Sequence, residues 1–227
     1  MSNIARKQMN RIEIESCFSK ERLYAFFQKY PDSDSKGIYL YIANKQLSEA
    51  FYTSLSVLEI SLRNSIHQSL SKKYKRKDWY EEFRKNSELS TLYPKIEYAK
   101  KKIRRKKRRP TSGRMVAELS FGFWTSLFND EYEMQLWKPL RLAFPNLPKE
   151  IRQRERVKVP LNKIRQELRN RVYHYEPIIL RINELEGHHS NIKKLLYWMN
   201  PGINGWLENI DRFPAIFSSI TKNLNTF

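Results

Sequence analysis

From residue 38 to residue 74 the apolar positions Leu47, Phe51, Leu55, Leu58, Leu62, Ile66 and Leu70 recur at intervals of three and four. That spacing keeps them on one side of a 3.6-residue turn, so it predicts a single long amphipathic helix acting as a central beam. Residues 1–18 show little periodicity and are expected to form an N-terminal arm. Ser19 offers an N-cap to a short helix bearing Leu23, Phe26 and Phe27, which Tyr30-Pro31 should stop. Residues 32–37 read as a polar loop.

Beyond the beam, Trp79, Tyr80 and Phe83 predict an aromatic patch after a basic linker. Pro94 suits the first turn of a helix with the apolar stripe Ile96, Ala99 and Ile103. After a break at residues 110–113, Thr111 or Ser112 can cap a helix marked by Met115, Leu119, Phe123 and Leu127. Its apolar run reads as core or subunit interface, and Gly122 permits close helix approach. Asp130 can start the next helix, through Leu136 and Trp137, before a turn at Pro145 to Pro148. Leu161, Ile164, Leu168 and Val172 then give the buried stripe of another helix, with Pro160 in its first turn. Pro177 should end or deform that helix near His174. A further helix carries Ile192, Leu195, Leu196 and Met199, and the tail from 201 to 227 is expected to pack on the bundle. The pattern as a whole predicts an all-α protein, with one domain over residues 19–227.

Charge narrows the partners. Against 24 Asp and Glu stand 43 Lys and Arg, a formal net charge of +19. So large an excess implies a polyanion, nucleic acid ahead of an anionic membrane surface. No apolar run approaches the roughly 20 residues that span a bilayer, and the polar N-terminus lacks the core of a signal peptide. The single cysteine, Cys17, can form no internal disulfide, which suggests the cytoplasm, and it is expected to be a packing residue.

The cations concentrate at Lys100, Lys101, Lys102, Arg104, Arg105, Lys106, Lys107, Arg108 and Arg109, in a basic helix and loop spanning about 94–113. Like charges this dense repel on a free helix, so the end should fray or hold a polyanion; RNA phosphate contact is the expectation. Tyr93, Tyr98 and Trp79 could stack on unpaired bases or fill the core. No Gly-rich phosphate loop, paired-cysteine motif or serine-nucleophile motif is present. The adjacent His188 and His189 have no further His or Cys at ligand spacing, so neither a metal site nor a cofactor is expected.

The chemistry gathers at Leu168-Arg169-Asn170-Arg171-Val172-Tyr173-His174-Tyr175-Glu176-Pro177-Ile178. A permanent cation, a carboxamide and a titratable imidazole are the groups needed to hold a phosphodiester and move protons around it. Arg169 and His174 are five apart, so an ideal helix turns them roughly 140° from each other. They meet only if the helix deforms near Pro177, or if each meets a copy from a second chain. An ordinary surface Arg and a helix-terminal His are the alternative. A near copy, Arg63-Asn64-Ser65-Ile66-His67, sits in the beam with one residue fewer, where Glu59 and Arg63 can pair at i, i+4.

The motif from Arg169 to His174, followed by Glu176-Pro177-Ile178, resembles that of the Abi-like (abortive infection) proteins, a branch of the HEPN superfamily. Leu58-Glu59-Ile60-Ser61-Leu62-Arg63-Asn64 and Ala117-Glu118-Leu119-Ser120-Phe121-Gly122-Phe123-Trp124 are similar to further segments of that family. The likeness runs from about Ser19 to beyond Ile178, with one departure: Tyr175 stands where many relatives have a second histidine. The resemblance implies a HEPN-like helical bundle with additional helices. It also implies a metal-independent endoribonuclease with Arg169, Asn170 and His174 as catalytic residues and Glu59, Arg63 and Asn64 in support. A homodimer would share the site across its two-fold axis. The role implied is phage defence or a toxin–antitoxin system, with RNA as substrate and a structured small RNA as inhibitor. A non-catalytic RNA-binding module with a degenerate motif is the competing expectation.

Overall fold

The computed structural model describes residues 9–226, and every regular element in them is helical. Half of the expected arm is itself a helix, α1 (Arg11–Phe18). Asn10 caps it by accepting from the Glu13 N–H, while the Glu13 carboxylate accepts from the Asn10 N–H. This reciprocal cap starts a helix that periodicity misses, because α1 buries only Ile14. Residues 1–8 of the expected arm lie outside the described residues. Cys17 is exposed rather than packed.

Ser19 caps α2 (Lys20–Lys29) as its position predicts, and the helix stops at Tyr30. The beam, α3 (Asp34–Tyr74), is 41 residues long, about 60 Å at 1.5 Å per residue. It begins inside the stretch expected to be a loop. Gly37 lies in its first turns, where a Cβ would come 2.5 Å from Cδ1 of Phe27. The glycine that reads as a loop residue is what lets α2 lie close on α3. All seven apolar positions of the beam are at most 2% exposed, each side chain worth about 1.5–3 kcal/mol when withdrawn from water.

Trp79, Tyr80 and Phe83 follow in a 3₁₀ segment and are buried, so the aromatic patch is core. Next come α4 (Tyr93–Arg105), with Pro94 in its first turn, α5 (Ser112–Glu118), α6 (Phe121–Ser126) and α7 (Glu133–Leu140). The motif helix is continuous through three forms: α8 (Arg154–Lys163), a wide π segment (Ile164–Arg169) and α9 (Asn170–Tyr173). It starts six residues before Pro160, which therefore sits in its interior rather than its first turn. Its start is a buried cation instead of an apolar stripe. Arg154 donates to the Phe128 carbonyl at 2.6 Å and pairs with Asp130 at 2.5 Å and Glu133 at 3.1 Å. The chain closes with α10 (Ile182–Met199), α11 (Pro201–Glu208) and α12 (Phe213–Leu224). Helices α2, α6, α7, α10 and α12 pack around α3, which also touches α9 and so reaches the motif.

Candidate active site

The motif helix ends where Pro177 predicts, at His174. Tyr175 takes the left-handed conformation at φ 59°. The Glu176 N–H donates to the Arg171 carbonyl at 2.8 Å and the Tyr175 N–H to that of Val172 at 3.3 Å, satisfying the last turn. A side chain in this conformation costs about 1–2 kcal/mol relative to glycine. Surrounding contacts hold it there. Arg22 donates to the Tyr175 carbonyl at 3.1 Å, and the Lys45 ammonium lies 5.3 Å from the centre of the Tyr175 ring. Just beyond, the buried Asn44 on α3 accepts from the Ile178 N–H at 2.7 Å and the Ile179 N–H at 3.1 Å. One carboxamide thus fixes the exit of the motif on the beam.

Arg169, last residue of the π segment, reaches α3. Its Nη2 lies 3.5 Å from Oε2 of Glu59, and its guanidinium sits 4.2 Å from the centre of the Tyr173 ring. Tyr173 in turn stacks on Tyr52 at 6.0 Å. Burial, with Glu59 close by, raises the Tyr173 phenol pKa above its usual range. Glu59 therefore pairs across helices with Arg169 rather than along α3 with Arg63. Arg63 lies one turn along the same face of α3 as Glu59. Arg165, one turn before Arg169, passes over Gly122: a Cβ there would be 3.8 Å from Nη1 of Arg165. The Nε of Arg63, of Arg165 and of Arg169 is buried without a hydrogen-bond partner. Glu59 on α3 thus meets Arg169, and Gly122 on α6 lies against Arg165. Sequence reasoning missed Arg165, although its i, i+4 spacing to Arg169 was readable.

His174 is exposed at the helix C-cap, one turn beyond the half-buried Asn170. Neither a hydrogen bond nor an ion pair joins His174 to Arg169 among the described residues. Helical geometry places Asn170 between them, roughly 100° from Arg169 and roughly 40° from His174. Asn64, expected in support, is exposed on α3. The near copy in the beam is structural at its histidine: Nδ1 of His67 accepts from the Trp79 indole N–H at 3.0 Å. Burial, then the charge of Lys77, keeps the His67 pKa below the usual 6.5.

The basic stretch divides. Lys100 is buried, with its ammonium 2.7 Å from Glu81 and 2.7 Å from Glu97. Burial alone would lower its pKa, but those hydrogen bonds raise it, so the lysine stays charged and occupied. It is withdrawn from the expected RNA-binding set because its helical face turns into the core beside Ala99 and Ile103. Glu118 holds Lys102 at 2.6 Å and Lys106 at 3.0 Å. Lys101, Arg104, Arg105, Lys107, Arg108 and Arg109 remain exposed. Of the proposed stacking residues, Trp79 is buried, Tyr93 donates to Glu81 at 3.0 Å, and Tyr98 is exposed.

The paired histidines of α10 face different ways. Nε2 of His189 lies 2.5 Å from Oδ2 of Asp211, and its ring stacks on Phe213 at 4.6 Å. Burial pushes the Asp211 carboxyl up, but hydrogen bonds from His189 and the Phe213 N–H outweigh it and leave its pKa lowered. No helix among the described residues is long and apolar enough to cross a membrane. No family model, no curated protein and no solved structure matches this chain.

Proposed function

We propose that this protein is a metal-independent endoribonuclease of an abortive-infection or toxin–antitoxin system, acting in the cytoplasm as a homodimer. The observation that carries the reading is the charge imbalance at the junction of α3, α6 and the π segment. Arg63 on α3 and Arg165 and Arg169 on the π segment each bury an Nε without a hydrogen-bond partner, and Glu59 pairs with Arg169. The partly exposed guanidinium of Arg169 keeps N–H donors for a phosphodiester, which an arginine can hold in bidentate geometry.

In this reading a ribose 2′-hydroxyl attacks the adjacent phosphorus and the bond to the 5′-oxygen breaks. The products are a 2′,3′-cyclic phosphate and a 5′-hydroxyl. One His174 imidazole takes the 2′-hydroxyl proton, and a second, protonated, gives a proton to the departing oxygen. Arg169, steadied by Glu59 and Tyr173, stabilises the charge of the phosphorane. Asn170 orients the imidazole or the phosphate. Each chain supplies one exposed His174 for two proton transfers, which supports a composite site built by two copies. The exposed Tyr52 and Ile60, with the partly exposed ring of Tyr173, offer apolar area beside Glu59 and Arg169 for that pairing. The cations from Lys101 to Arg109 that remain exposed would track the RNA backbone or grip a structured inhibitory RNA.

The test is cleavage of end-labelled RNA in EDTA by wild type, Arg169→Ala and His174→Ala, with sedimentation of each. Cleavage by wild type and loss in both variants, all dimeric and folded, sustains the proposal. RNA binding without cleavage in any of them would leave the non-catalytic module. That neither a hydrogen bond nor an ion pair joins Arg169 to His174 among the described residues is the observation favouring that second reading.

A further inference from the structure

On the opposite side of the π segment from Arg169, a second cluster draws together groups that the RNA-cleavage reading does not use. His188 on α10 is only 4% exposed. Two carboxylates lie near its Nε2, Oε2 of Glu167 at 3.7 Å and Oε2 of Glu184 at 4.0 Å. Both distances exceed the roughly 3.2 Å limit of a good hydrogen bond. The buried imidazole is therefore aimed between two oxygens and bonded to neither.

We propose that Glu167, Glu184 and His188 form a binding site for a divalent transition-metal ion of the Zn2+ type. Their ligand atoms all lie within 4.8 Å of one another. Ligands about 2.0–2.2 Å from a tetrahedral zinc ion stand roughly 3.3–3.5 Å apart, so the carboxylates close on the ion by rotating their partly exposed side chains. Glu184 and His188 share one face of α10 at i, i+4 spacing, and Glu167 approaches from the π segment. π turns of this kind recur at functional sites. Three protein ligands leave a fourth position for water. An imidazole in the set favours a transition metal over Mg2+ or Ca2+.

Electrostatics temper the affinity without opposing it. Two carboxylates balance the charge of the ion, while Lys163 and Arg181 face the cluster, Arg181 at 3.7 Å from Glu184. A bound ion would clamp the π segment to α10 through Glu167. The ion is a clamp here, separate from the chemistry proposed for Arg169 and His174.

Full-length protein, stripped with EDTA and dialysed, is titrated with ZnCl2 by calorimetry and with CoCl2 by visible absorption. The expected result is one ion per chain, with cobalt bands of the intense tetrahedral type. Glu184→Gln and Glu167→Gln should each weaken binding by about 10- to 100-fold. His188→Gln should abolish the cobalt bands, and the partly exposed Glu184→Gln keeps the test decisive if the buried variant does not fold. Wild-type binding that is undetectable at micromolar zinc overturns the site. So does binding that all the variants retain, which would mark surface association. These readouts involve no RNA, so their failure is separate from failure of the ribonuclease reading.

Discussion

Two stretches of this chain spell nearly the same chemistry, Arg63-Asn64 with His67 and Arg169-Asn170 with His174, and the fold treats them oppositely. The first lies within α3, where His67 is held by the Trp79 indole and kept neutral by burial. The second lies where a helix stops, so His174 is exposed at a C-cap. Residue type is shared; what differs is the position of the helix end. An imidazole inside a long helix becomes a packing and hydrogen-bonding group, whereas one at a terminus keeps both ring nitrogens available for proton transfer.

The strongest way to break this contrast is to exchange the histidines' fates. His174→Ala should lower RNA cleavage by about 10²- to 10⁴-fold with little change in melting temperature. His67→Gln should do the reverse, lowering melting temperature while cleavage stays near wild type. Equal loss of cleavage in both variants would collapse the distinction.

A sharper probe addresses what fixes the end of the motif helix. Asn44→Ala leaves the Ile178 and Ile179 N–H groups buried without their shared acceptor, so urea denaturation should show a loss of about 2–4 kcal/mol. A change under half that range would mean that Arg22 and Lys45 hold the exit alone. Tyr175→Gly tests the left-handed residue itself. Removing a side chain from φ 59° should raise stability by up to about 1 kcal/mol, once glycine's extra chain entropy is set against the relieved strain. A clear loss instead would show that the ring's contact with Lys45 outweighs the strain.

The smallest effect expected is in pH dependence. His67 and His188 both have pKa values lowered from 6.5, burial being the first cause in each. Below pH 6.5 the unfolded chain therefore binds protons that the folded chain refuses, and stability falls as pH drops. Thermal melts between pH 7.5 and 5 should show this slope, and His67→Gln should flatten it. An unchanged slope in that variant would remove His67 from the account.

Much of the fold was legible because it rests on local periodicity. The seven apolar residues of the beam, the Ser19 cap, Pro94 at a first turn and Pro177 at a helix end each act within a few residues of themselves. The misses share another cause. The capping box at Asn10, the glycine that seats Phe27 against α3 and the buried Arg154 start helices through one or two specific contacts, which leave no repeating signal. At the candidate site the identities of Arg169, Asn170 and His174 were readable, but their surroundings were not.

The sequence by itself determined an all-α chain with a long central helix, a large positive excess and a motif helix that stops at His174. These follow from side-chain spacing and backbone chemistry that operate within a turn or two. Only the tertiary structure decided that Glu59 meets Arg169 and not Arg63, that Lys100 is spent inside the molecule, and that Arg165 lies over Gly122. It alone aimed His188 at two carboxylates. Such pairings depend on the rotation of one helix against another, here reset by a π segment, and that rotation is chosen by packing between residues 100 or so apart in the chain.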